Sequence, residues 1–196
     1  MAHPTIKWLA LIVWLASSAL ATSASAKDTL IDLDNARVGG YGGPMFKSGQ
    51  IQNEQTFEIG ASGGATFTTG RHSIALGGGI YSLANELDWD IDERLEMSYG
   101  GLILGYTYNP EALAHVDTQL LLGAGGVTMV NLDGANSDGT FLVSELTTQV
   151  GVNITDFMAI GLGASFRQTS DPGIIGLGAN DLSSPGFFIS FQFGSL

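Results

Sequence analysis

Beyond residue 35 the chain alternates large and small side chains with a period of two, and this pattern recurs along almost its whole length. In FMAIGLGASFRQT (157–169), Met158, Ile160, Leu162, Ala164 and Phe166 form one set, while Ala159, Gly161, Gly163, Ser165 and Arg167 form the other. Successive side chains of a strand point to opposite faces, so the stretch predicts one apolar face backed by one of very small residues ending in a charge. Phe57, Ile59 and Ala61 oppose Glu58, Gly60, Ser62 and Gly64 in the same way, as Ile74, Leu76 and Ile80 oppose Ser73, Ala75, Gly77 and Gly79. The period predicts strands at 36–46, 54–67, 71–83, 95–108, 115–130, 141–154, 157–169 and 183–194. Nothing between them carries a helical apolar stripe.

These runs exceed the five or six residues usual for globular strands and match the roughly 9–11 of a tilted strand crossing a bilayer. The connections alternate in length. Segments 47–53, 84–94, 131–140 and 170–182 are long and polar or Gly-rich, whereas 68–70, 109–114 and 155–156 are short. Long outer loops, short inner turns and an even strand number define the expected class: all-β, an eight-stranded antiparallel up-and-down transmembrane β-barrel.

Residues 1–26, MAHPTIKWLALIVWLASSALATSASA, read as a cleaved signal peptide, leaving 27–196 as the barrel domain. Lys7 precedes an apolar run at 8–16, and small residues lead to an A-x-A site at Ala24, Ser25 and Ala26. That run is well short of the roughly 20 residues of a spanning helix. The chain has no cysteine, so neither disulfides nor a lipidated N-terminal cysteine contribute. Losing Lys7 leaves six Lys+Arg against nineteen Asp+Glu, a formal charge of −13, which argues against nucleic acid as a partner.

The last strand, SSPGFFISFQFGSL, sets Phe187, Ile189, Phe191 and Phe193 on one face. With the signal sequence and the eight alternating strands, it resembles the small bacterial outer-membrane barrels of the OmpA and OmpX type, over the whole of 27–196. The resemblance implies the outer membrane of a Gram-negative bacterium, lipid around the barrel, and recognition of the last strand by the barrel-assembly machinery. Here Gly194, Ser195 and Leu196 follow the last Phe, where many relatives end on an aromatic residue.

In such a barrel the apolar set meets lipid and the small set lines a narrow lumen. Tyr41, between Gly39 and Gly43, is expected to fill part of that space. Arg167 needs a lumen partner, since an unpaired buried charge is costly. Pairing Ile154 with Met158 across the short turn sets Glu145 opposite Arg167, and Glu58 is a candidate third member of this lumen charge group.

NELDWDIDERLE (85–96) gathers Glu86, Asp88, Asp90, Asp92, Glu93 and Glu96 around Trp89, with Arg94 the one basic residue. It reads as an acidic, solvated surface loop, with Trp89 an interfacial anchor or contact residue. GANSDGTFLVSE (134–145) partly matches a calcium loop through Asn136, Asp138, Gly139 and Glu145, yet its first ligand position is Gly134. GGYGGP (39–44) lacks the lysine and the helix of a phosphate loop and reads as a Gly-rich strand.

His72 and His115 fall near the short-turn end, opposite the end where lipid-modifying barrels of this architecture carry their Ser/His sites, and neither has an evident serine and acid beside it. No enzyme activity, metal or cofactor is expected. The expected role is a non-catalytic one in the envelope or in surface contact, by a monomer; a general diffusion pore is not expected, because aqueous channels use about 16–18 strands, while small-ion leakage through the Gly-lined lumen stays open. The alternatives are a lipid-modifying outer-membrane enzyme and a secreted soluble barrel that binds a hydrophobic ligand.

Overall fold

The computed structural model describes residues 36–51, 54–85, 87–90, 93–131 and 136–195. The expected signal peptide, residues 1–26, lies outside them, as do Glu86, Asp92 and Gly134. Nine strands follow one another: β1 (Arg37–Ile51), β2 (Glu54–Thr69), β3 (His72–Leu83), β4 (Leu87–Asp90), β5 (Glu93–Tyr108), β6 (Ala114–Asn131), β7 (Asn136–Thr155), β8 (Met158–Thr169) and β9 (Ser184–Ser195). One turn of helix, α1 (Ala179–Leu182), precedes β9.

Apart from β3 and β4, strands adjacent in sequence pair antiparallel; β3 pairs with β5 and β9 with β1, so eight strands close into a ring. The short β4 adds to the outer end of β5. Closure removes the free edges that a flat sheet would expose.

The register fixes the barrel's shape. Starting at Val38 and stepping between paired residues leads through Phe67, Ile74, Tyr106, Thr118, Thr148, Ala164 and Phe187 to Ser48. One circuit thus climbs ten residues along β1, from 38 to 48. With a strand rise of about 3.3 Å and a strand spacing of about 4.7 Å, eight strands and this offset imply a tilt of about 40°.

The alternation sorts side chains as the sequence suggests. Leu102 (77% exposed), Leu162 (69%) and Phe187 (74%) face outward, while Tyr99, Ile103, Leu121 and Phe188 are buried inside the ring. From Phe57 to Phe67 on β2, ten residues at that tilt span about 25 Å, the height of a barrel's lipid-facing band. Phe57, Phe166 and Phe187 lie toward the outer end of the band, and Tyr106, Tyr108 and Phe193 toward the short-turn end. At that second rim His72 Nδ1 lies 2.7 Å from the Tyr106 hydroxyl, and its ring stacks on Tyr106 with centroids 6.0 Å apart.

Three expected connections turn out to be ordered structure. β1 runs on to Ile51 instead of ending at 46, so Lys47 lies in the strand and not in a loop. Residues Leu87–Asp90 form β4, so the acidic stretch is partly a hairpin extension, with Asn85 clamping it by accepting from Phe57 N (2.7 Å) and donating to Gln55 O (3.1 Å). Segment 170–182 is no open surface loop: Leu177 and Leu182 are buried with Ile51 and Leu95, closing the outer mouth. Left-handed Gly173 and Gly176 (φ 78° and 88°) let its chain turn back.

Small inward residues are required where strands crowd. Gly101 faces Gly123 across β5 and β6, and a Cβ on Gly123 would overlap the Gly100 carbonyl. The obstacle is backbone, so a side chain cannot be relieved by a rotamer change. Gly123→Val is expected to destabilise the barrel by at least about 3 kcal/mol, seen as loss of the folded, heat-shiftable band on an unboiled gel. Outward Leu122→Val on the same strand should leave that band in place.

Candidate functional site: a charge network across the lumen

Lys47 from β1, Glu58 from β2, Tyr81 from β3, Tyr99 from β5, Glu145 from β7 and Arg167 from β8 all point inward and are buried. Lys47 Nζ pairs with Glu145 Oε1, and Arg167 Nη1 with Glu58 Oε1. Two cations and two anions therefore cancel inside the ring, meeting the requirement that buried charges be paired and hydrogen-bonded.

Tyr99 joins the two pairs. Its hydroxyl lies 2.7 Å from Glu145 Oε2 and 2.9 Å from Glu58 Oε2, and it accepts from Lys47 Nζ at 3.3 Å. A phenol has a single hydrogen, so it donates to one carboxylate at a time and links both. Tyr81 stacks on Tyr99 with centroids 5.4 Å apart. Lys47 Nζ sits 3.3 Å from the Tyr81 ring centre and Arg167 Cζ 5.2 Å from that of Tyr99, so both cations also lie over aromatic faces.

Arg167 extends the network to the mouth. Its Nε donates to the Leu182 carbonyl at 2.9 Å, fixing the end of α1, while Thr169 Oγ1 donates to Ala179 O at 3.1 Å and Thr169 N to Ser183 Oγ at 3.0 Å. The network and the folded-back 170–182 segment together fill the outer half of the lumen.

Glu145 stands opposite Arg167 in the β7–β8 register, where both numbers follow the pairing of Asn153 with Ala159. The turn itself differs from expectation, because a bulge between Asn153 and Thr155 pairs Thr155, not Ile154, with Met158. The ion-pair partner of Arg167 is Glu58, across the lumen, and that of Glu145 is Lys47. Lys47 is the member that sequence reading assigns to a loop. Inward Met45, Lys47 and Ile51 continue the alternation past 46 and would have located it.

The acidic residues Asp88, Trp89 and Asp90 lie on β4 and Glu93 begins β5. Asn136, Asp138 and Gly139 are on β7, with Asp138 Oδ1 accepting from Thr128 Oγ1 at 2.8 Å and Glu145 buried in the lumen, so this stretch forms a strand and no calcium loop. Among the described residues no group of three or more His, Cys, Asp or Glu is placed to hold a metal.

The short-turn half of the lumen holds a second polar group, from Tyr41, His115, Asp117, Gln149, Ser190 and Gln192. His115 does have an acid beside it, contrary to the sequence reading: Nε2 lies 3.3 Å from Asp117 Oδ2. The signal was their two-residue spacing, which puts both on one face. Gln149 Nε2 donates to Asp117 Oδ2 at 2.7 Å, and Ser190 Oγ donates to Gln149 Oε1 at 2.6 Å. The serine thus hydrogen-bonds an amide, and no serine–histidine couple forms for acyl transfer.

Fold and lumen together define an eight-stranded up-and-down barrel of the kind that outer-membrane proteins use, with paired charges across its interior. The structure is similar to that of neisserial surface protein A, with a TM-score of 0.54 and 12% identity over 82% of this chain and 98% of that one. It is also similar to Ail, the attachment invasion locus protein of Yersinia pestis, solved in complex with the heparin analogue sucrose octasulfate, with a TM-score of 0.50 and 8% identity over 81% and 98% of the two chains. At these identities the likeness is one of fold. No family model matches the sequence. A flagellar hook protein, FlgE of Rhizobium meliloti (strain 1021), is 29% identical over 133 residues; the match covers 61% of this chain and spans less than a third, 31%, of the hook protein's length.

Removing one partner of a buried pair leaves the other charge uncompensated. Lys47→Met is expected to cost about 3–5 kcal/mol, and adding Glu145→Gln should recover much of it. Double-mutant cycles by urea unfolding in detergent should show larger coupling for Lys47/Glu145 and Glu58/Arg167 than for Glu145/Arg167.

Proposed function

We propose that this protein is an integral outer-membrane barrel of a Gram-negative bacterium with a non-catalytic role, maintaining the envelope or presenting its outer hairpins for surface contact. The observation that carries this reading is the combination of an apolar outward band with a lumen closed by paired charges and by segment 170–182. Such a barrel offers lipid a surface and gives solutes no aqueous path.

Outer-membrane lipid is then the partner of the band, and the barrel-assembly machinery that of β9, whose outward Phe187, Ile189 and Phe193 remain exposed. Closure of the ring within one chain supports a monomer. The acidic residues of β4 and of the start of β5, beyond the band, suit contact with a basic surface partner. Ser190 donates to Gln149 and neither ring nitrogen of His115 has a hydrogen-bond partner, which supports a non-enzymatic role over lipid modification.

The test is to express the full chain in a Gram-negative host. It should fractionate with the outer membrane, shift on a gel when boiled, and leave the acyl profile of the outer-membrane lipids unchanged by mass spectrometry. A new acylated or deacylated lipid, or a soluble protein with no heat shift, would overturn the reading. In planar bilayers the purified barrel should show no conductance of the size seen for 16–18-stranded pores.

A further inference from the structure

The outer charge network is electrically closed, but the short-turn half of the lumen is not. Asp117 is 3% exposed, and its ion contact is with His115, which is charged only when protonated. Among the described residues Lys47 and Arg167 pair with Glu145 and Glu58, and Arg37 pairs with Glu111 at the barrel rim, 2.6 Å apart. None of these cations is an ion-pair partner of Asp117. A carboxylate buried this deeply needs a counter-charge.

His115 is a poor source of it. Both of its ring nitrogens are buried without a hydrogen-bond partner, and the 3.3 Å approach to Asp117 is misaligned for one.

Three buried oxygens also lack partners. Asp117 Oδ1, the Tyr41 hydroxyl and Gln192 Oε1 are all buried without a hydrogen-bond partner. Tyr41, Asp117 and Gln192 line one small cavity, which has room for about one water molecule. Each of the three side chains is more than nine-tenths buried, at 7%, 3% and 8% exposure. Asp117 Oδ2 is already taken by Gln149, so the carboxylate is held with its other oxygen free for a ligand.

A larger opening borders the same glutamine. Gln192 also lines a vestibule of about 420 Å³ at the short-turn end, together with Arg37, Glu111, Asn153 and Asp156. Asn153 Nδ2 donates to Pro110 O and Ala112 O at 2.8 and 2.7 Å, tying two turns together around this opening.

We propose that Asp117, Tyr41 and Gln192 form a binding site for a single hard monovalent cation, of about sodium size, in the short-turn half of the lumen. One carboxylate and two neutral oxygens suit a single positive charge; a divalent ion would demand more anionic ligands, and a soft metal would demand nitrogen or sulfur. The bound cation neutralises Asp117, as Lys47 and Arg167 neutralise the carboxylates of the outer half.

Urea unfolding of the full barrel in detergent, in sodium chloride or N-methylglucamine chloride at constant ionic strength, tests the site. Wild-type protein should be more stable in sodium, and near saturation each tenfold rise in sodium should raise the folded-to-unfolded ratio about tenfold. Asp117→Asn removes the charge that needs balancing, so it should fold without sodium and lose the dependence; Gln192→Leu should weaken it. A thallium(I) soak should place an anomalous peak among the three oxygens. No sodium dependence in wild type would mean water in the cavity or a proton on His115, and would overturn the proposal. An equal sodium effect in Asp117→Asn would also overturn it, by assigning the effect elsewhere.

Discussion

The pairing of Lys47 with Glu145 and of Arg167 with Glu58, joined through the Tyr99 hydroxyl, is the interaction on which the closed state of this barrel depends. Eight strands with a ten-residue offset enclose a lumen that side chains can fill. Four charges in that space are tolerable because they sum to zero and their hydrogen-bonding atoms meet across the ring. The pairs connect β1 to β7 and β2 to β8, so the network braces strands that are not neighbours in the sheet. Arg167 then carries the brace outward to the Leu182 carbonyl, coupling the lumen to the segment that covers it.

The wall follows from the same geometry. Outward positions hold Leu, Ile, Val and Phe, because the band excludes water and offers no hydrogen bonds to polar groups. Inward positions alternate between bulky groups such as Tyr81 and Tyr99 and glycines such as Gly64, Gly101 and Gly123, whose missing side chains allow the backbones to crowd. The small set of 157–169 is thus the space that side chains of the flanking strands β7 and β9 occupy: a Cβ on Gly163 would collide with the ring of Phe188, and one on Gly161 with Gln149 and Ser190.

Much of this was legible from alternation, since facing direction is a property of strand geometry alone. Parity also placed Glu145 opposite Arg167. It did not reveal the partner of Arg167, because a long guanidinium side chain reaches across the lumen to Glu58, and register describes only lateral neighbours. Lys47 was obscured by the polar composition of KSGQ, which resembles a loop, although the alternation continues through it. The covering role of 170–182 was hidden by its glycines; Leu177 and Leu182 were the apolar residues that an exposed loop had no reason to carry. The Asp117–His115 contact has no serine to mark it as a catalytic arrangement, and its one signal is the two-residue spacing that puts both on a shared face.

The account rests on the direction in which each side chain faces. The absence of cysteine permits a direct test: single cysteines introduced along 158–168, spin-labelled and reconstituted in lipid, with accessibility read by electron paramagnetic resonance. Labels at Leu162, Ala164 and Phe166 should be accessible to lipid-dissolved oxygen, whereas those at Gly163, Ser165 and Arg167 should be shielded or disrupt folding. High oxygen accessibility at 163, 165 and 167 with shielding at 162, 164 and 166 would reverse the two faces and contradict a lipid-facing apolar band around a charged lumen.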